Sequence, residues 1–192
     1  LFRSVKPGDT VLFHAAAGGV GLIFCQWAKH LGATVIGTVG SEDKAKLAKA
    51  AGCHHTILYK QEDWVAKVKE LTGGKGVDCI IGMDFSTTIQ WMAQGVLKPH
   101  GQLVCYGSNP PPDIPVNFRS LLFNSFTLCF FLVYDLQAQE RQQCLDLLTT
   151  LLQEQQLQHS IGARFPLAQV VQAHEAVQAG QTIGNVVLDI AH

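Results

Sequence analysis

Residues Thr10-Val11-Leu12-Phe13-His14-Ala15-Ala16, followed by Ala17-Gly18-Gly19-Val20-Gly21, open a stretch that runs to Gly32 and decides the fold. The first seven form a short apolar run suited to a buried strand. The next five leave three positions without a side chain. Beyond them Val20, Ile23, Phe24, Trp27, Ala28 and Leu31 recur at i, i+3, i+4, i+7, i+8 and i+11, one face of a helix, and Gly32 stands where a helix stop belongs. A glycine turn between a buried strand and a helix N-terminus suits a phosphate. Unpaired backbone N–H groups and the positive helix end face the anion, and missing Cβ atoms let it approach.

The same alternation continues along the chain. Ala33–Val39 reads as a second strand, and Ser41 as the N-cap of a helix through Ala51, with Glu42 and Asp43 in its first turn. His54–Tyr59 is a third strand and Gln61–Leu71 a helix. Val77–Met83 is a fourth strand, apolar except at Asp78 and Gly82, followed by a helix over Thr87–Leu97. Pro99-His100-Gly101 turns the chain into a fifth strand, Gln102–Gly107. Ser108–Pro115 holds four prolines and is a loop. A short helix over Val116–Phe123 leads to a sixth strand, Phe126–Val133. Leu136–Gln156 reads as a long helix with Cys144, Leu145, Leu147, Leu148, Leu151 and Leu152 turned inward.

Apolar strands alternating with amphipathic helices predict a six-stranded parallel sheet covered on both faces, an α/β fold that is doubly wound and Rossmann-type. From about His159 the rhythm changes. Ser160–Phe165 is strand-like, Pro166 begins a helix that runs to about Ala179, and Gly184–Ile190 is a last strand. We therefore divide the chain into a domain over 1–158 and a segment over 159–192 that belongs to another layer.

Composition narrows the function classes. The 192 residues carry a net charge of −1 with no basic block, which excludes nucleic acid as an expected partner. The longest apolar run, Phe126–Tyr134, is well short of the roughly 20 residues of a membrane-spanning helix. No basic-plus-apolar leader is visible, so the chain is expected to be cytoplasmic. Six cysteines stand apart, with no C-x-x-C pair, which disfavours a zinc lobe and predicts reduced core thiols. The chain is 47% hydrophobic and 15% charged, with mean hydropathy +0.17, apolar for a free-standing domain.

Aligned on its last glycine, the dinucleotide fingerprint reads Ala16-x-Gly18-x-x-Gly21, so Ala16 replaces the first glycine. Gly18 stands where the pyrophosphate comes closest and Gly21 where helix packs on strand. A tight turn without a ligand, or a methyltransferase turn, would also place glycines here. The end of the second strand chooses between cofactors, because an acid there accepts from a ribose 2′-OH and a cation accommodates a 2′-phosphate. That end reads Thr38-Val39-Gly40-Ser41, with no acid at its tip and Lys44 one helical turn beyond. Glu42 and Asp43 are explained by the helix N-terminus, and the balance favours NADP.

Phe13-His14-Ala15-Ala16-Ala17-Gly18-Gly19-Val20-Gly21, Cys25-Gln26-Trp27-Ala28-Lys29 and Gly37-Thr38-Val39-Gly40-Ser41 resemble the quinone oxidoreductase family of the medium-chain dehydrogenase/reductase superfamily. Phe165-Pro166-Leu167, Ala173-His174-Glu175-Ala176 and Gly184-Asn185-Val186-Val187-Leu188 resemble that family's closing strand–helix–strand. The resemblance implies a two-domain, zinc-free, NADPH-dependent enzyme that reduces quinones or other conjugated carbonyl compounds. It implies that Lys44 and Tyr59 hold the 2′-phosphate, beside Ser41, and that the pyrophosphate lies over Ala17-Gly18-Gly19-Val20. The nicotinamide would lie between Tyr106-Gly107-Ser108 and Phe130-Phe131-Leu132. A homodimer is implied through the edge strand Phe126–Val133. The family's small residues after the fourth strand read Asp84-Phe85-Ser86-Thr87 here, and its closing Gly-Lys-Val reads Gly184-Asn185-Val186. The family's first, catalytic-type domain has no counterpart before Leu1, so 159–192 is expected to be displaced, disordered or packed against another copy.

Hydride transfer from the cofactor to an electron-poor carbon or quinone is the expected reaction. No residue of this chain presents itself as a general acid. His14 is read as a packed strand residue, and His54 and His55 point to opposite faces, against joint metal binding. Tyr106 is equally a core residue or a nicotinamide neighbour. An enoyl-thioester reductase module, and a non-catalytic NADPH-binding protein such as a sensor or a crystallin-like structural protein, are the alternatives.

Overall fold

The computed structural model describes residues 5–107, 113–180 and 182–190. Residues 1–4, and with them most of the leading segment, lie outside it, as do Ser108 and the first part of the proline-rich loop. Six strands, β1 (Thr10–Phe13), β2 (Thr34–Val39), β3 (His55–Leu58), β4 (Val77–Gly82), β5 (Leu97–Cys105) and β6 (Thr127–Phe130), form one sheet in the order β3-β2-β1-β4-β5-β6. Every neighbouring pair is parallel. The expected doubly wound fold is therefore present, with the strand order reversing at β1 and β4, where such sheets open a crevice.

The apolar runs form strands because alternate residues enter two different cores. Val11 and Phe13 of β1 join Val35, Cys79, Ile81 and Val104 on one face. Leu12 joins Ile36, Ile57, Ile80 and Leu103 on the other. The first core is covered by α1 (Gly19–His30), whose Phe24 stacks on Phe13 at 4.3 Å between ring centroids. The second is covered by α3 (Trp64–Leu71) and α4 (Phe85–Trp91), through Val65, Val68 and Ile89. Asp78, the one charged residue of β4, accepts from the Thr10 backbone N–H at 2.9 Å and pairs with Lys98.

Several boundaries differ from the sequence reading, each for a local reason. Helix α2 (Glu42–Ala50) starts at the Ser41 cap as expected. Helix α3 begins at Trp64 rather than Gln61, because the Asp63 carboxylate accepts from the Val65 and Ala66 N–H groups and caps the helix there. Helix α4 begins at Phe85, capped by Asp84, and ends at Trp91. A π-helical turn over Met92–Val96 follows, with Gly95 at φ 78°, so Leu97 belongs to β5 and not to the helix. Pro99-His100-Gly101 is an excursion inside β5, between the Val77–Leu97 and Cys79–Gln102 pairings. Helix α5 (Phe118–Phe123) starts after an Asn117 cap.

Strand β6 stops at Phe130, earlier than expected, and the chain turns through a 3-10 segment at Val133–Asp135. Helix α6 (Ala138–Gln153) buries Leu151 and half-buries Cys144, Leu148 and Leu152. Leu145 and Leu147, expected inward, are exposed, because only the C-terminal part of this helix reaches the first core. Val20 is likewise exposed on α1, while Leu22 and Cys25 are buried, so the inward face is rotated from the one first drawn. Cys25, Cys53, Cys79 and Cys105 are buried thiols, but Cys129 and Cys144 are only partly so.

The closing segment forms β7 (Ile161–Pro166), α7 (Val170–Gln178) and β8 (Asn185–Asp189), with β7 and β8 paired parallel in a separate two-stranded sheet. Pro166 ends β7 rather than starting the helix; a 3-10 turn over Leu167–Gln169 leads into α7. The segment is ordered and lies against the rim of the six-stranded domain of the same chain. Gln26 grips it at one end, donating to the Gln158 carbonyl at 3.1 Å and accepting from the Gln158 N–H at 2.8 Å.

Candidate functional site

The turn after β1 is built by close approach. Ala15 takes φ 59°, and a Cβ on Gly21 would stand 2.6 Å from the Ala16 carbonyl oxygen, so only glycine lets α1 leave the strand so sharply. Ala16 is fully buried and fits because the residue across from it is Gly37, where a Cβ would lie 2.5 Å from the Ala16 Cβ. The substitution in the fingerprint is thus absorbed by the neighbouring strand. Helices α2 to α5 are each closed by a side-chain cap, from Ser41, Asp63, Asp84 and Asn117. Helix α1, like α6 and α7, has none, and here the open helix end coincides with the glycine turn. The N-cap residue, Gly18, thus leaves its first N–H groups without a capping side chain, and the Asn185 side chain lies over Gly19 beside them.

A cleft of about 790 Å³ lies beside this turn, at the carboxyl ends of β1, β2 and β4. It brings together Ala17, Gly18, Ser41, Lys44 and Tyr59, five of the residues singled out by sequence. The Tyr59 side chain is half exposed, and its hydroxyl reaches the Gly40 position, 3.5 Å from where a Cβ would stand. Lys44 Nζ donates to the Gly180 carbonyl at 3.1 Å, and Gly180, Thr182 and Ile183 close the outer wall. Asp43 also faces the cleft, but its carboxylate pairs with Lys46 at 3.0 Å, both groups well exposed. Glu42, the other acid of this turn, does not line the cleft.

The remaining sequence-predicted residues lie elsewhere. Gly19 is covered by Asn185, whose Cγ would be 3.2 Å from a Cβ at that glycine, and Val20 projects into solvent on the first turn of α1. Tyr106 is partly buried against the first core and stacks on Phe131, with ring centroids 6.0 Å apart. Gly107 packs against Met83, whose Cβ would be 2.7 Å from an added Cβ. Phe130 is exposed and meets the Phe85 ring edge-on at 4.9 Å, and Leu132 is exposed beyond it. These residues form a second group at the ends of β5 and β6, separate from the cleft; Ser108 lies outside the described residues.

Sequence reasoning missed His14 as a lining residue, along with Trp64, Asp84, Thr87 and Thr88. His14 follows the last residue of β1 rather than packing within the strand, and burial lowers its pKa to about 4, opposed by the nearby Asp84 charge. Asp84 is held below the usual carboxylate range by hydrogen bonds from the Thr87 and Ser86 side chains. His54 is exposed, its Nδ1 accepting from the Val35 N–H at 3.1 Å. Among the described residues no three His, Cys, Asp or Glu side chains are grouped to hold a metal ion. Among the same residues no helix is long and apolar enough to cross a membrane.

The sheet order, the glycine turn and the cleft beside it define a Rossmann-type nucleotide-binding domain. The family model described as zinc-binding dehydrogenase matches residues 19–150. The chain is 39% identical over 193 residues to a 2-haloacrylate reductase of a Burkholderia species, covering 97% of this chain and 57% of that protein. The crystal structure of a quinone oxidoreductase from Pseudomonas syringae pv. Tomato matches with a TM-score of 0.84 at 36% identity, over 96% of this chain and 57% of that one. A quinone oxidoreductase of Escherichia coli, crystallised in complex with NADPH, matches with a TM-score of 0.84 at 34% identity, over 96% of this chain and 58% of that one. The chain belongs to the zinc-binding dehydrogenase family, in the part of the medium-chain dehydrogenase/reductase superfamily that contains quinone oxidoreductases. It spans little more than half the length of these relatives.

Proposed function

We propose that this chain binds NADPH and serves as the cofactor-binding part of a reductase acting on a quinone or an α,β-unsaturated carbonyl compound. The observation that carries this reading is the end of β2, where Ser41, Lys44 and Tyr59 converge beside the glycine turn and Asp43 is paired away with Lys46. A lysine ammonium and a phenol suit a 2′-phosphate, and an acid that would favour a bare ribose is missing from the tip. The fit of the dinucleotide rests on the side-chain-free Gly18 and the uncapped α1 terminus, which suit its pyrophosphate. Tyr106, Gly107, Ser108, Phe130, Phe131 and Leu132 are the residues we assign to the nicotinamide end. The bound cofactor supplies the hydride; the protein's part is to hold and orient it and to exclude water.

The relatives' names support the substrate class, since a quinone and a 2-haloacrylate both present an electron-poor unsaturated carbon. Residues 159–192 are, in this reading, part of a second domain that completes the substrate cleft. We further propose a zinc-independent reaction, a cytoplasmic location in keeping with reduced buried thiols, and a homodimer formed along the β6 edge.

The cofactor claim is tested by titrating NADPH and NADH into wild type and Lys44→Ala. Tighter binding of NADPH, lost by about tenfold or more in the variant while NADH is unaffected, is expected for loss of a charge-assisted contact. Equal affinity for both cofactors overturns it. Oxidation of NADPH by the full-length protein with a quinone, with crotonyl-CoA as rival and chelator present throughout, tests the reaction class. Turnover of crotonyl-CoA alone favours the thioester reductase, and turnover of neither favours a binding protein.

A further inference from the structure

His14 holds a buried polar atom that the cofactor reading leaves unused. Its backbone N–H donates to the Ile81 carbonyl at 3.2 Å, fixing the residue between β1 and β4. Its Nδ1 lies 3.2 Å from Thr38 Oγ1, and that oxygen already accepts from the Ala15 N–H at 3.3 Å. Thr38 is buried, and among the described residues the acceptor available to its hydroxyl proton is His14 Nδ1. With the Thr38 hydroxyl as the donor to Nδ1, the imidazole proton is on Nε2. Nε2 is itself buried and, among the described residues, has no hydrogen-bond partner. A donor taken out of water without an acceptor is costly, so such an atom marks a place where a partner is missing.

The surroundings specify the partner. Trp64 meets the ring edge-on, 5.6 Å between centroids, and a side chain on Gly82 would press on His14 Cδ2 at 3.1 Å. Thr87, Thr88 and Asp84 line the cleft together with His14, whereas Tyr106 and Phe131 do not. Burial keeps the imidazole neutral, and the Asp84 charge does not overcome it. A neutral donor beside an indole suits an uncharged acceptor on a flat heterocycle or its sugar better than it suits a phosphate.

We propose that His14 is a specificity-determining residue of the cleft, a small turn of its ring on binding uncovering Nε2–H to donate a hydrogen bond to a purine ring nitrogen or ribose oxygen in the adenosine half of the bound dinucleotide. The proposal rests on the nucleotide-binding reading above. It is tested on the full-length protein labelled with ¹⁵N-histidine and titrated with NADPH, the His14 signals being identified by their loss in His14→Gln. The Nε2–H resonance moves on saturation and its exchange with water slows. His14→Gln, which keeps a donor near the same place, binds NADPH within about threefold of wild type. His14→Phe, which keeps the ring shape alone, binds about tenfold more weakly, or about 1.4 kcal/mol. NADPH analogues with 1-, 3- or 7-deazaadenine separate the two acceptors. Loss of the shift with one of them places the bond on the ring, and its retention with all three places it on the ribose. An unmoved Nε2–H signal in a protein saturated with NADPH, or wild-type affinity in His14→Phe, overturns the role of His14 and leaves the cofactor reading standing. No binding of NADPH to the wild type overturns both.

Discussion

Gly37 lies in the middle of β2 with Ala16 on one side of its missing side chain and Cys53 Sγ, 2.8 Å from an added Cβ, on the other. Both neighbours are buried and held by backbone, so neither can yield. Gly37→Ala is expected to destabilise the fold by about 1–3 kcal/mol through overpacking, read as a lowered midpoint in urea with an unchanged slope. Ala15 presents the opposite case: it carries a Cβ at φ 59°, where a glycine would be unstrained. Ala15→Gly is expected to stabilise by up to about 1 kcal/mol, the left-handed penalty less the extra chain entropy of glycine. His14 adds a pH dependence. The unfolded chain binds its proton below pH 6.5, whereas the folded protein holds the ring neutral down to about pH 4. Unfolding therefore takes up a proton between these values, and stability that is full above pH 6.5 falls as pH drops towards 4, by about 3 kcal/mol in all. Urea titrations at pH 7 and pH 4.5 measure it, and His14→Gln, which cannot titrate, is expected to flatten the difference.

At the scale of the element, caps decide where the helices begin. Ser41 and Asp63 both cap, but the Ser41 Oγ bond to the Lys44 N–H is long, at 3.4 Å, whereas Asp63 holds two N–H groups at 3.1 Å each. Asp63→Ala is expected to cost about 1 kcal/mol, and Ser41→Ala less. Because Trp64 is the first residue of α3 and lines the cleft, loosening that cap is also expected to weaken nucleotide binding, whereas an exposed change on α6 is not. Ser41 was legible as a cap from its place between a strand and an amphipathic run. Asp63 was not, since Gln61 and Glu62 extend the same polar-then-apolar pattern; only the geometry shows Glu62 turned back to accept from the Leu58 N–H. The turn at Met92–Val96 was invisible for a related reason: a 3.6-residue period does not report the kink at Gly95, which leaves the helical region at φ 78°.

Across the whole molecule, the sheet ends at β6 with Phe118, Leu122, Phe123, Phe130, Leu132, Val133 and Tyr134 exposed near one edge. Such a cluster rarely stays in water. If the proposed homodimer forms there, Phe123→Lys is expected to shift the protein from dimer to monomer in sedimentation at micromolar concentration, with the thermal midpoint falling as protein is diluted; an unchanged dimer places the interface elsewhere. The periodicity of apolar residues, read from the sequence alone, determined the six-stranded, doubly wound class, because periods of 2 and 3.6 leave few ways to bury both faces of a sheet. The glycine turn and the residues around Lys44 were legible too, since each follows a strand end that a short local pattern defines. Contacts between distant stretches required the fold. Ala16 against Gly37, Lys44 against Gly180, Asn185 over Gly19 and His14 beside Thr38 each join segments that no local pattern relates. Local order is written in neighbouring residues, whereas the lining of a cleft depends on which strand ends the topology brings side by side, and that is settled only when the sheet closes on its two cores.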